Sequence, residues 1–499
     1  TILGDGRALL LGEHITRNNK RFDIQLKGSG KTPYSRNGDG KAVLGPMIRE
    51  YLISEAMHNL GISSTRALAV ITTGENILRE RVEPGAILIR VAKSHIRVGT
   101  FQFGNLLKKQ EEFDILVNYT VDRLFPELMN KSNKYINFFE KVCELQINLI
   151  TEWMRVGFIH GVMNTDNMSL SGETIDYGPC AFLDNYNPKT VFSSIDKMGR
   201  YSFENQPKIS LWNLARFAET ILHLVDSNEK KSIKIVEELL NEYNKKFNLN
   251  WNIMMSKKLN LDLNNDNTKI IKDFLDIMHI HKLDYTNTFL NLENNNLDKN
   301  IFKDWYIKYN NLKNKKFDKI NPIVIPRNHL IEKVINESHS GNFESLYEYE
   351  KILKNPYDRN IKNKFTNPPT DNEKIYETFC GTWYYFIAPS VRPETKYFPI
   401  KINSKITGKL ANTAPDSKKP QSIWYWPTIE ARPTGKVFKL SPLINIEAKR
   451  YSVQEIMKQK IETLAIPGAA KGTTILDITT YLDAPSIYAA SSISFGINL

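Results

Sequence analysis

The chain has 499 residues, 67 lysines and arginines against 55 acidic residues, and a formal net charge of +12. That length buries a sizeable core and points to two or three domains, and no run nears the roughly 20 apolar residues of a membrane helix, so no membrane partner is expected. The positive charge favours anionic partners, which nucleotide phosphates satisfy; without Cys/His metal spacing, a basic run interleaved with aromatics or a helix-turn-helix pattern, nucleic acid is not expected.

The chain opens at Thr1 with no initiator Met, and its first residues already read as a strand entering a glycine turn, so upstream sequence is expected to be missing. Residues 9–11 and 22–26 read as strands, 28–40 as a loop rich in Gly, Ser and Thr, and 86–91 as a further buried strand. Between them, 49–60 reads as a helix with Tyr51, Leu52, Ala56 and Leu60 on one face and Gly61 as its stop. From about Phe101 the pattern turns helical. Residues 135–156 form a long, broadly apolar helix that stops at Gly157, ahead of a polar loop at 164–167. Helices follow at 209–224 and 232–248, and the Asn- and Lys-dense stretch 256–320 reads as a surface region to which no function is attached. Past residue 383 the texture becomes strand-like, with a helix at 453–465. The expected fold is α+β: a small mixed lobe at 1–100, a larger helical lobe at 101–382, and a mainly β or α+β segment at 383–499.

Four clusters can carry chemistry. Gly4-Asp5-Gly6-Arg7 is a glycine turn with an arginine at a strand edge; glycines let amides approach phosphate oxygens and Arg7 adds a fork of donors. On its own it is also an ordinary hairpin turn. Lys27 ends a strand, and Glu50 on the next helix, with Glu55 second, is the partner that would pin it beside a nucleotide's phosphates. Arg90 and Arg97 flank Ser94-His95 and could jointly clamp a triphosphate. For both clusters the bland alternative is salt bridging at the surface.

The most specific cluster is His160 to Met168 followed by Ile175-Asp176-Tyr177-Gly178. A long apolar helix leads into a loop with Asp and Asn, and a short apolar run then ends in Asp-Tyr-Gly. Asn167 and Asp176 supply hard oxygen ligands for Mg²⁺, and a loop carboxylate can accept a proton. One departure matters. A protein kinase carries its catalytic Asp five residues before the metal-binding Asn, and here that position is Val162. Asp166 is the acid left in the loop and takes the base role, which suggests that the nucleotide sits differently and another phosphorus is attacked.

GDGRA (4–8), QLKGSGKTPYSRNGDGKAVL (25–44), IREYLISEAM (48–57), RVAKSHIRVGTF (90–101), GFIHGVMNTDNMSLSGETIDYGP (157–179), MGRYSFENQP (198–207), RNHLIEKVI (327–335) and NPYD (355–358) together resemble the selenoprotein O family over about residues 1–382. The resemblance implies a two-lobed, protein-kinase-like pseudokinase fold that transfers AMP from ATP to protein Ser, Thr or Tyr hydroxyls and releases pyrophosphate. It implies ATP bound in reversed orientation, with the α-phosphate facing the acceptor. By motif match Gly4, Gly6, Arg7, Lys27, Asp39, Gly40, Arg90 and Arg97 would contact the nucleotide and Glu50 would pair with Lys27. Asp166 would be the general base, while Asn167 and Asp176 would hold Mg²⁺ or Mn²⁺. The residues around Cys380 look like the family's own C-terminus, so a family redox role would fall there. Cys180 follows the metal motif, but the two are read as unpaired thiols.

The reading is therefore a nucleotidyltransferase with ATP and protein partners; a phosphotransferase of kinase type and an inactive nucleotide-binding scaffold are its rivals. Three cysteines are too few for a disulfide framework and point to a reducing compartment, cytoplasmic, or mitochondrial in a eukaryote. No targeting peptide is visible.

Overall fold

A computed structural model describes residues 6–35, 38–315, 320–361 and 363–378. Gly4, Cys380 and the strands and helix expected after residue 383 lie outside the described residues. The described residues all fall in one compact unit and are mixed α/β.

Strands β1 (Ala8–Ile15), β2 (Arg21–Lys27), β3 (Ala42–Val43), β4 (Arg66–Leu78) and β5 (Val82–Ala92) form one antiparallel sheet in which β5 pairs with β2, β3 and β4. Alternation along β2 runs against the usual sense. The residues turned inward are Asp23, Gln25 and Lys27, each under a tenth exposed, while Ile24 and Leu26 are only half-buried. A strand that buries its polar face has something polar to meet, and β5 supplies it with Arg90, opposite Gln25.

Helix α1 (Leu44–Asn59) packs across this sheet and begins at Leu44 rather than at the expected Arg49. Gly45-Pro46 reads as a break, yet proline is tolerated in a first turn, where its missing N–H has no intrahelical partner anyway. Nor is burial confined to one face of α1: every residue from Leu44 to Met57 except Pro46 is buried, including Arg49, Glu50 and Glu55. Its polar groups are spent inward, with Arg49 donating to the Cys180 carbonyl at 2.7 Å and to Glu332 at 3.0 Å, and Tyr51 donating to Glu350 at 2.6 Å.

Helices α2 (Val98–Leu106), α3 (Gln110–Leu124) and α4 (Lys134–Val156) follow. The apolar stripe of α4 packs on α5 (Gln206–Val225) and α6 (Glu229–Lys258), and α4 stops at Gly157, whose φ of 75° and contact with the Tyr285 ring leave no room for a side chain. Helix α6 runs past the expected end at 248 because Trp251, Met254 and Met255 continue its packed face. The stretch expected to be surface, 256–320, is instead partly core. Helices α7 (Thr268–Ile280), α8 (Tyr285–Glu293) and α9 (Lys303–Asn310) bury Phe274, Met278, Phe289 and Trp305, and polar density hid a narrow apolar stripe. The last helices are α10 (Asn328–His339) and α11 (Glu344–Leu353). Two-residue strands β6 (Phe158–Ile159) and β7 (Ala181–Phe182) bracket the loops of the candidate site. Among the described residues no helix is long and apolar enough to cross a membrane.

Arg327, at the head of α10, is 1% exposed and donates to Asp184 at 2.6 Å, to Asp284 at 2.8 Å and to the Thr366 carbonyl at 3.2 Å. Arg327→Met keeps the volume but leaves two carboxylates facing each other out of water. We expect unfolding by denaturant to show a loss of about 3 to 5 kcal/mol, the range for breaking a buried pair.

Candidate active site

The inward face of β2 meets α1 and β5 in a buried charge cluster. Lys27 Nζ donates to Glu50 Oε2 at 2.6 Å and to Asp176 Oδ1. Arg90 Nε donates to Glu50 Oε1 at 2.8 Å, and its terminal nitrogens reach Gln25 Oε1 and Asp176 Oδ1, both at 3.2 Å. Lys27, Glu50 and Arg90 are almost wholly buried, whereas the Asp176 side chain keeps 23% of its surface open. Burial alone would raise the Asp176 carboxyl; Lys27, Arg90 and Arg7 overcome that and hold it well below the usual carboxylate range. Of the two candidate partners of Lys27, Glu50 is the one beside it; Glu55 instead takes a two-pronged bond from Arg66 at 2.7 and 2.6 Å.

Asp176 adopts a left-handed backbone conformation, φ 66°, which costs a residue with a β-carbon of order 1 kcal/mol or more. Its position is over-determined. His160, fully buried and kept neutral by burial, bonds the Ile175 carbonyl through Nε2 at 2.8 Å, and Gln206 accepts the His160 amide at 3.1 Å. The loop at 164–167 is pinned as tightly. Asn164 accepts the Asp166 amide at 3.1 Å, Asn213 of α5 donates to the Met163 carbonyl at 3.0 Å, and the Val98 amide reaches the Met168 carbonyl at 3.0 Å. The last bond stitches the start of α2 to the loop, and Gly99 in that first turn lies against Asp166. A β-carbon there would stand 2.1 Å from Asp166 Oδ1.

Gly6 lies over the 30–35 loop: its carbonyl accepts from Thr32 at 3.0 Å and also from Ser35, and a side chain on Gly6 would collide with the Ser35 backbone. The Arg7 carbonyl accepts the Gly28 amide at 2.7 Å. Gly40, φ 67°, closes the loop against Gly30. Asp39 is not drawn into the cluster; it is exposed and takes two bonds from Arg79 at 3.0 and 2.9 Å. Arg97 caps α2 and is 8% exposed. Sequence reasoning passed over Gln25, Asp23, Gly99 and Gln206. Period-2 alternation with a polar inner face was the signal available for the first two.

Among the described residues no cluster of three or more His, Cys, Asp or Glu could hold a metal by itself. A metal shared with phosphates needs less, since Mg²⁺ is commonly held by one or two protein oxygens together with phosphates and waters. The donors here fit that requirement. Asn167 spends its amide nitrogen on the Val162 carbonyl at 2.9 Å, which leaves Oδ1 as the ligating atom, and Asp176 is held ionised.

Fold and site thus describe an enzyme-like arrangement in which a held carboxylate faces two buried cations. The family model described as "Protein adenylyltransferase SelO" matches residues 1–354, and the chain belongs to that family. Relatives named "Protein nucleotidyltransferase YdiU" include one from Pelagibacter ubique, 49% identical over 77% of this chain and 83% of its own length. Another from Halalkalibacterium halodurans is 50% identical over 77% and 82%, and one from Clostridium perfringens 48% over 77% and 82%.

Gly99→Ala should leave the melting temperature within a few degrees, because alanine suits a helix, yet displace the Asp166 carboxylate. A shift of about 1 Å in a catalytic group costs on the order of a hundredfold in turnover. Steady-state transfer rates measured beside a thermal melt check it.

Proposed function

We infer that the chain is a protein nucleotidyltransferase that moves AMP from ATP onto proteins, with Ser, Thr or Tyr hydroxyls as acceptors. Family membership supports the activity. We read the sheet and α1 as the small lobe of a kinase-like arrangement, the helices from about residue 101 to 382 as the large lobe, and 383–499 as a separate module.

The observation that carries the reversed nucleotide is the state of the linker after β5. In a protein kinase that linker offers backbone amides to the base. Here the Lys93 amide is accepted by Glu173 at 2.9 Å, the His95 amide by Asp23 at 2.8 Å and the Ile96 amide by Ser94 Oγ at 3.1 Å. With its amides taken and Arg90 and Arg97 nearby, this end of the cleft suits phosphates rather than a base. That turns the α-phosphate toward the loop carrying Asp166.

In this reading Arg7, Lys27, Arg90 and Arg97 neutralise the triphosphate, and the Gly6 and Gly40 loops close over it. Asn167 and Asp176 would hold Mg²⁺ or Mn²⁺, which when bound supplies further neutralisation of phosphate oxygens. Asp166 takes the proton from the acceptor hydroxyl as that oxygen bonds to the α-phosphorus. The bond between the α-phosphorus and the oxygen bridging to the β-phosphorus then breaks, and pyrophosphate leaves. Glu50 orients Lys27 and Arg90 without touching the reacting atoms.

Incubation with Mn²⁺ and ATP labelled at either the α- or the γ-phosphate tests the reading. Protein-bound label should come from the α-position alone and vanish in Lys27→Ala and Asp176→Ala. Asp166→Asn should slow transfer by about 10² to 10⁴, the usual share of a general base. Label from the γ-position alone would establish a phosphotransferase, and ATP binding without any transfer a scaffold.

The linker predicts a pH effect on stability. Burial pushes the Glu173 carboxyl up to about 7, although Ser171 and the Lys93 amide pull it down. Raised in the fold, it ionises more readily in the unfolded chain, so its contribution is present below the unfolded value and is lost as pH rises toward 7 and beyond. Wild type should therefore lose up to about 3 kcal/mol between pH 4.5 and 8 relative to Glu173→Gln, measured by denaturant titration at several pH values.

A further inference from the structure

His95 is the one residue of the linker whose side chain the reading above leaves without work. Its ring is 9% exposed and turns Nδ1 to Asp23 Oδ2 at 3.3 Å. The opposite nitrogen, Nε2, is buried and has no hydrogen-bond partner. An unsatisfied buried polar atom costs about 1 to 3 kcal/mol, so a side chain held in that state by its other nitrogen invites a ligand. The charges around it say which kind. Asp23 faces it from β2 but is itself bound by Arg123 of α3 at 2.5 Å, and Arg123 also donates to the Lys93 carbonyl at 2.8 Å. Arg90 of β5 and Arg97 at the start of α2 act on the ring as positive charges. From the metal loop's side, Glu173 is spent on the Lys93 amide.

We propose that His95 is a further phosphate-binding residue, donating from Nε2 to the terminal phosphate of the nucleotide, the group that leaves within pyrophosphate. The inference rests on the reversed orientation argued above. Asp23 and Lys27 lie on the same face of β2, four residues and so about 13 Å apart along the strand. Lys27 marks the end where Asp176 sits, and His95, held by Asp23, marks the far end. Burial, with Arg90 and Arg97, keeps the ring neutral although Asp23 pulls the other way. With Nδ1 donating to Asp23, Nε2 then carries a lone pair and cannot donate. A terminal phosphate brings negative charge that offsets both arginines. The ring then takes up a proton at Nε2, and the new N–H donates to the phosphate oxygen while Nδ1 stays on Asp23.

Calorimetry of ATP, ADP and AMP binding at pH 7.5, repeated in buffers of different ionisation enthalpy, reads this directly. Wild type should take up a fraction of a proton with ATP and none with AMP. His95→Asn, whose amide keeps the Asp23 bond but does not reach further, should abolish the uptake and weaken ATP about tenfold, the size of one charge-assisted hydrogen bond. It should leave AMP unchanged and raise KM more than it lowers kcat. His95→Gln, which can present a donor near Nε2, should recover part of the ATP affinity without the proton. Equal weakening of ATP and AMP, uptake that persists in His95→Asn, or wild-type binding of ATP with no uptake would each overturn the inference while leaving the nucleotidyltransferase reading intact. Failure of wild type to bind ATP at all would overturn both.

Discussion

Four buried charges decide the rest of the site. Lys27, Glu50, Arg90 and Asp176 come from two strands, a helix and a distant loop, and they lie within hydrogen-bond reach of one another. Taking any one of them out of water is expensive, and the set is tolerable only because each charge faces an opposite one. That requirement turns β2 polar side inward, buries α1 on all sides and holds Asp176 in a left-handed conformation. The cluster is neutral when counted alone, and its balanced pairs hold Lys27 and Arg90 in place without any ligand.

The same economy of charge supports the orientation proposed for the nucleotide. Carboxylates of Asp23 and Glu173 have closed the amides of the linker after β5, so a base would find little to bond there. Those carboxylates are in turn positioned by Arg123 and by Ser171. Had the linker been left open, the base and the phosphates would compete for one end of the cleft. Arg90 bridges the two parts, reaching Asp176 from the strand that leads into the linker.

Much of this was legible in the sequence because it rests on local patterns. The pairing of Lys27 with a glutamate of the next helix, the stop at Gly157 and the two loops at 164–167 and 176–178 are all read from spacing and residue type. What was not legible depends on distant partners. The choice of Glu50 over Glu55 was made in the sequence, but its physical reason, Arg66 on β4 claiming the second, was not visible there. The start of α1 was lost to Gly45-Pro46, and the core at 256–320 to its asparagines and lysines. Asp39 carries a motif-based expectation of nucleotide contact, and its carboxylate accepts from Arg79, a partner in the turn after β4 that the motif does not reveal.

Gly99 makes room for the carboxylate that the proposed reading uses as a base, Asp166, in a loop whose kinase position holds Val162. The Val162 side chain has no proton chemistry, but its carbonyl does structural work by fixing the amide of Asn167. That bond holds the Asn167 side chain whatever residue stands at 162. Asp166, the base in the proposed reading, stands four residues later, on the part of the loop that the Val98 amide ties to the first turn of α2. There Asp166 can approach the helix only because residue 99 has no side chain. The position of the Asp166 carboxylate therefore depends on a residue of a separate element, which is why a substitution at Gly99 would reach the loop without touching it in sequence.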